Sequence, residues 1–142
     1  MKFMLIMRTP VPVEYPADFD WTPVINAMGA YNESLMKAGV LLAGEGLMPA
    51  EEGFVVDFES TPPIVTDGPY AEAKELFNGF WIIQTSTREE AVEWAKRCPL
   101  DAGTFLEVRR VTETSDFDQD NEYIQKEHEW REQLGSDDPI QG

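Results

Sequence analysis

The chain has 142 residues, 42% of them hydrophobic, with four Trp, eight Phe and four Tyr, which is enough apolar side chain for one domain with its own core. Its formal net charge of −16 repels phosphate backbones and anionic lipid surfaces, which argues against nucleic-acid and membrane partners. A single cysteine excludes an internal disulfide and fits a reducing cytoplasm. The apolar start Phe3-Met4-Leu5-Ile6-Met7 is too short for a signal sequence, and no run approaches the length of a membrane span, so a soluble cytoplasmic protein is expected.

In chain order, Lys2–Arg8 reads as a strand with apolar residues on both faces, followed by a proline-rich loop holding Pro10, Pro12 and Pro16. A helix is predicted to begin near Thr22 as its N-cap, with Pro23 at the first helical position and Gly39 as its stop. Val24, Ala27, Met28, Tyr31, Leu35 and Ala38 form its apolar stripe. Leu41–Pro49, with Gly44-Glu45-Gly46, reads as a flexible connector. Gly53–Glu59 and Pro63–Thr66 are short strands separated by Ser60-Thr61-Pro62, and Phe77–Thr85 is the strongest strand, rich in aromatic and β-branched residues. Thr87-Arg88-Glu89-Glu90 fits a capping box that opens a second helix, whose buried stripe is Ala91, Trp94, Ala95 and Cys98 and whose end is Pro99. Thr104–Val111 is the last strand.

The order β-α-β(β)-β-α-β predicts an α+β fold of the ferredoxin-like βαββαβ type, two helices on one face of an antiparallel sheet. The first and third main strands do not alternate apolar with polar: Phe80 and Ile82 point one way, Trp81 and Ile83 the other. Two helices cover one face only. A second copy of the chain, packed sheet to sheet as a homodimer, is the simplest cover for the other face, and a tail folded over it within a monomer is the rival. Residues 1–111 carry nine basic against seventeen acidic side chains, and residues 112–142 carry two against ten. The reading is therefore a domain over 1–111 and an acidic extension over 112–142. That extension is predicted to be helical over about 118–134, capped by Asp118, docked on this chain or its partner through a face holding Tyr123, Trp130 and Leu134, and disordered from Ser136 to Gly142. Its charge suits a basic protein partner.

Several chemistries lack their residues. The sequence holds no glycine-rich phosphate loop, dinucleotide fingerprint or hydrolase motif, so no cofactor is expected. Cys98 and His128, one of each kind and in different elements, do not make a metal site. The segment Asp67-Gly68-Pro69-Tyr70-Ala71-Glu72-Ala73-Lys74-Glu75 is richer: a turn fixed by Gly-Pro is followed by clustered charge. Asp67 and Glu75 are candidate acid–base residues, with Lys74 and Tyr70 as ligand contacts. The plainer alternative is a turn-capping Asp and a solvated salt-bridge cluster. Arg8, Glu107 and Arg109 form a second constellation, on the first and last strands. They would act either as an anion clamp in a cleft or as a charge ladder at a sheet edge.

The nine residues Asp67–Glu75 resemble the DGPFAETKE-like signature of the DGPF branch of the YCII-related family. MKFMLIM, AGVLLAGEGL, FNGFWII, EWAKRCP and EVRRV extend that resemblance over about residues 2–111. The resemblance implies a dimeric α+β barrel, a relation to small barrel enzymes such as muconolactone isomerase, and an association with sigma-factor signalling through gene neighbourhood. Some family members carry a His–Asp pair; here the first His is His128, so of that pair only Asp67 matches. Tyr70 stands where the signature has Phe, and Ala73 where it has Thr. Two functions are expected from this: a homodimer that binds a small polar or anionic molecule near the Asp67–Glu75 loop, with isomerase- or lyase-like acid–base activity left open, or a non-catalytic regulatory interaction module.

Overall fold

The computed structural model of the chain describes residues 1–10, 14–69, 73–135 and 137–140. Strand β1 (Lys2–Pro10) leads to helix α1 (Thr22–Lys37) and strand β2 (Leu41–Gly46). A hairpin of β3 (Phe54–Asp57) and β4 (Ile64–Asp67) follows, then β5 (Glu75–Gln84), α2 (Arg88–Lys96), β6 (Phe105–Arg110) and α3 (Glu122–Leu134). The main sheet is antiparallel with the order β2-β5-β1-β6, the strand order of a ferredoxin-like α+β fold. The β3–β4 hairpin is a separate two-stranded sheet.

The pleat explains which residues meet the helices. Phe3 and Leu5 of β1, Trp81 and Ile83 of β5 and Leu41 of β2 share one face and form the buried core with Tyr31 and Leu35 of α1 and Ala91 of α2. Leu5, Leu35 and Ile83 are wholly enclosed, and each contributes about 1.5–3 kcal/mol by leaving water. Polar groups inside this layer are paired: Trp81 Nε1 donates to Asn32 Oδ1 at 2.7 Å, and the Tyr31 hydroxyl donates to the Trp94 carbonyl at 2.9 Å. Of the predicted stripe of α1 only Tyr31 and Leu35 are buried; Met28 is half-buried, and Val24, Ala27 and Ala38 are exposed.

Three local expectations change. Leu41–Gly46 is an edge strand rather than a connector, because Gly44 lies over the Trp81 ring, where a Cβ would meet Cδ1 at 3.0 Å. Gly44, which read as flexibility, is there for close approach, whereas a Cβ at Gly46 would meet nothing within 4 Å. The turn into α1 is closed by Asp20, whose Oδ1 accepts the Thr22 N–H at 3.0 Å, and the Thr22 hydroxyl is not its cap. The tail helix is capped by Asn121, whose Oδ1 accepts the N–H groups of Tyr123 and Ile124, while Asp118 accepts the N–H of Asp120 in the preceding turn. Half of the expected capping box of α2 forms: Thr87 accepts the Glu90 N–H at 3.1 Å, while the Glu90 carboxylate reaches one residue beyond the cap, to the Ser86 N–H at 2.9 Å.

On the sheet face away from the helices lie Lys2, Met4, Ile6 and Arg8 of β1, Phe77, Phe80 and Ile82 of β5, and Phe105, Glu107 and Arg109 of β6. The tail leaves β6, passes through α3 and reaches this face at the start of β1. There the buried Lys2 ammonium meets Asp137 Oδ1 at 2.7 Å, Arg131 stands 3.7 Å from the same carboxylate, and the Ile140 N–H donates to the Leu41 carbonyl at 2.7 Å. Within 137–140, Asp137 and Ile140 contact the sheet; Ser136, Gln141 and Gly142, also part of the end expected to be disordered, lie outside the described residues. Tyr123, Trp130 and Leu134 do not dock on the chain, being 69%, 54% and 79% exposed.

Candidate functional site

The cleft of interest is built where β5 enters the main sheet. A register shift separates Met7, paired with Gly79, from Arg8, paired with Phe77, so Asn78 is the extra residue of a bulge. Its carbonyl accepts the Leu47 N–H at 2.9 Å and its side-chain amide donates to Thr9 Oγ1 at 2.6 Å, which fixes the strand opening against the residues after β2. Across from it, Gly68 adopts a positive φ of 79° and donates its N–H to the Gly53 carbonyl at 2.8 Å, closing the base of the β3–β4 hairpin. Between these two anchors opens a cleft of about 520 Å³, walled mainly by Leu47, Met48, Phe54, Pro69, Leu76 and Phe77. It lies beside the hairpin and not between sheet and helices.

The polar side chains of its described lining are Glu52, on a 3-10 turn, and Glu75, the first residue of β5. Glu75 is held by Arg8: the guanidinium Nη2 contacts Glu75 Oε2, and Nη1 stands 3.4 Å from Glu107 Oε2. All three side chains project from the face opposite the helices, because Phe77, two residues beyond Glu75, pairs with Arg8, and Glu107 pairs with the neighbouring outward residue Ile6. Glu75 Oε2 is sealed from solvent and, apart from this ion-pair contact, accepts no hydrogen bond among the described residues. One guanidinium between two carboxylates leaves the triad with a net negative charge, and Glu75 is its member that lines the cleft.

Of the remaining sequence-predicted residues, Asp67 ends β4 opposite Phe54 and is exposed, making no ion pair among the described residues. Lys74 is exposed beside Glu75. Arg109 stands opposite Met4 and is exposed, sharing no carboxylate with Arg8 among the described residues. Tyr70 lies outside the described residues. The structure therefore brings together Arg8, Glu75 and Glu107, and leaves Asp67, Lys74 and Arg109 apart from that triad. Glu52, Leu47 and Phe54 complete the lining without having been singled out from the sequence; the signal for them was the surplus of large apolar residues at Leu47, Met48 and Phe54 flanking a short turn. No cluster of three metal-ligating side chains occurs among the described residues. Among the same residues, no helix is long and apolar enough to cross a membrane.

Cys98 belongs to the core and not to the cleft. Burial against Trp94, Ala95 and Tyr31 pushes its thiol up from 9.0 to about 11, and burial likewise raises the Tyr31 phenol.

Fold and cleft together define a small ferredoxin-like α+β domain with a side pocket bounded by an inserted hairpin. The chain belongs to the YCII-related domain family, which it matches over residues 1–115. An uncharacterised protein of Rhizobium meliloti (strain 1021) is 30% identical over 73 residues, 51% of this chain; the chain spans 59% of that relative's length.

Proposed function

We propose that this YCII-related protein binds a small molecule in the cleft between β5 and the β3–β4 hairpin, lined on one side by Gly68, Pro69, Ala73 and Glu75. The observation that carries the reading is the Glu75 carboxylate, fixed by Arg8 in a largely apolar cleft of about 520 Å³ that Glu52 also lines. A concave apolar wall with one oriented polar group is the usual form of a small-ligand site. Glu75, with Asp67, is the group on which acid–base activity would depend, and Arg8 and Glu107 position it. Native mass spectrometry of protein purified from its host tests the reading, together with Ala50→Trp, which fills the cleft. A retained small-molecule mass that is lost in the folded variant supports it. A mass equally retained by Ala50→Trp, or none in either, sinks it.

A second reading, a regulatory or protein-interaction module, is favoured by the hairpin itself. Phe54, Phe58, Ile64 and Val65 are more than half exposed on a two-stranded sheet that is marginal by itself. Crosslinking in the native host, with Phe58→Ser and Val65→Ser as controls, would separate this reading from the first. The homodimer expected from the two-faced sheet is compatible with either.

A further inference from the structure

Resting on the reading of the cleft as a ligand site, we infer that its ligand is an organic cation: an ammonium group carried on an apolar body. The two ionisable side chains of the described lining, Glu52 and Glu75, are both acidic, and no described cation shares that lining. Arg8 does not reverse this. It is engaged by Glu75 and Glu107 together, so the triad keeps an uncompensated negative charge. Turning Arg8 toward an incoming anion would leave both carboxylates without their partner. Glu75 nevertheless keeps 31% of its side chain exposed, so the residue is anchored through Oε2 against Arg8 while its side chain stays accessible from the cleft that it lines.

The apolar wall completes the case. Phe54 and Phe77 both line the cleft and both are exposed, so aromatic surface is accessible there to a cation and to its hydrocarbon part. A carboxylate backed by aromatic rings is a favourable environment for an alkylammonium group, and the chain's net charge of −16 draws cations toward the molecule. A carboxylate ligand of the same shape would meet two like charges in the same space.

Three probes of matched shape test the inference: phenethylammonium, 3-phenylpropionate and 2-phenylethanol, each titrated while the backbone amide signals of Gly53, Gly68 and Leu76 are followed by NMR. Phenethylammonium is expected to bind tightest, with affinity that falls as salt is raised, and Glu75→Gln is expected to weaken it about tenfold, the scale of one charge-assisted contact. Glu52→Gln, on an exposed turn, is expected to weaken it in the same direction and keeps the test independent of any folding defect in Glu75→Gln. If the carboxylate or the alcohol moves the same amides at lower concentration, the cleft stands as a ligand site and the cationic class is overturned. If no probe moves those amides, the inference fails, and a host-derived ligand displaced by Ala50→Trp decides separately whether the cleft reading survives.

Discussion

Cys98 shows how a residue with reactive chemistry is turned into packing. Its thiol sits beyond the last turn of α2 against Trp94 and Ala95, and burial raises its pKa to about 11. Only a small fraction is thiolate at neutral pH, so alkylation by iodoacetamide is expected to be slow in the folded protein and fast after denaturation. The same shift has a consequence for stability. The folded thiol holds its proton more tightly than the unfolded one, so its contribution is fully present below the ordinary pKa of 9.0 and is lost as pH rises toward 11; Tyr31 acts in the same sense. Urea melts at pH 7, 9 and 10.5 should show falling midpoints over that interval, and Cys98→Ala should flatten the fall. The sequence already placed Cys98 on a buried stripe, since its spacing from Ala91 and Trp94 is helical. It did not reveal that Arg8 is taken up by two carboxylates. That depends on the bulge at Asn78, which brings Phe77 opposite Arg8 and sets the reach of Glu75.

Among the elements, β2 was the one misread. Leu41–Gly46 carries two glycines in six residues, a pattern depleted in strands, and local preference alone points to a connector. The indole of Trp81 overrides it: the strand passes so close that Gly44 has no room for a side chain without displacing the ring. Gly44→Val is therefore expected to destabilise the fold by about 1–3 kcal/mol despite the higher strand preference of valine. Chemical denaturation followed by tryptophan fluorescence checks this, and an unchanged or raised midpoint would contradict it. The tail helix shows the opposite limit. Its existence was legible from capping and length, but its docking face was not. Tyr123, Trp130 and Leu134 are aligned by helical period, yet the tail is tied to the sheet through Asp137 and Ile140.

For the whole molecule, the open question in the sequence was what covers the second face of the sheet. The tail reaches that face at the Lys2 end of β1, about 20 Å along the strand from Arg8, and so leaves the cleft clear. Phe77 and Phe105, at the Arg8 end, stay exposed. A chain cut after Val111 would strand the buried Lys2 ammonium and bare more of this face. We expect it to be less stable and to self-associate more strongly than the full chain, as read by light scattering across a concentration series. Asp137→Ala isolates the ionic part: because Asp137 is half exposed, a loss of only about 1 kcal/mol is expected. A truncated chain that stays as monomeric and as stable as the full one would assign the tail no role on this face.

The order of elements, the two main helices, the two-faced strands and the family signature were all carried by local pattern: hydrophobic period, capping residues and turn chemistry act within a few positions of one another. From these alone came the ferredoxin-like fold and the expectation of a polar loop at Asp67–Glu75. Register, close approach and long-range pairing were decided only in three dimensions. The bulge that sets Arg8 against Glu75, the glycine strand under Trp81, the tail anchored on Lys2 and the cleft beside the hairpin each join residues far apart in the chain. No local propensity encodes them, because their free energy comes from contacts that exist only once the sheet has formed.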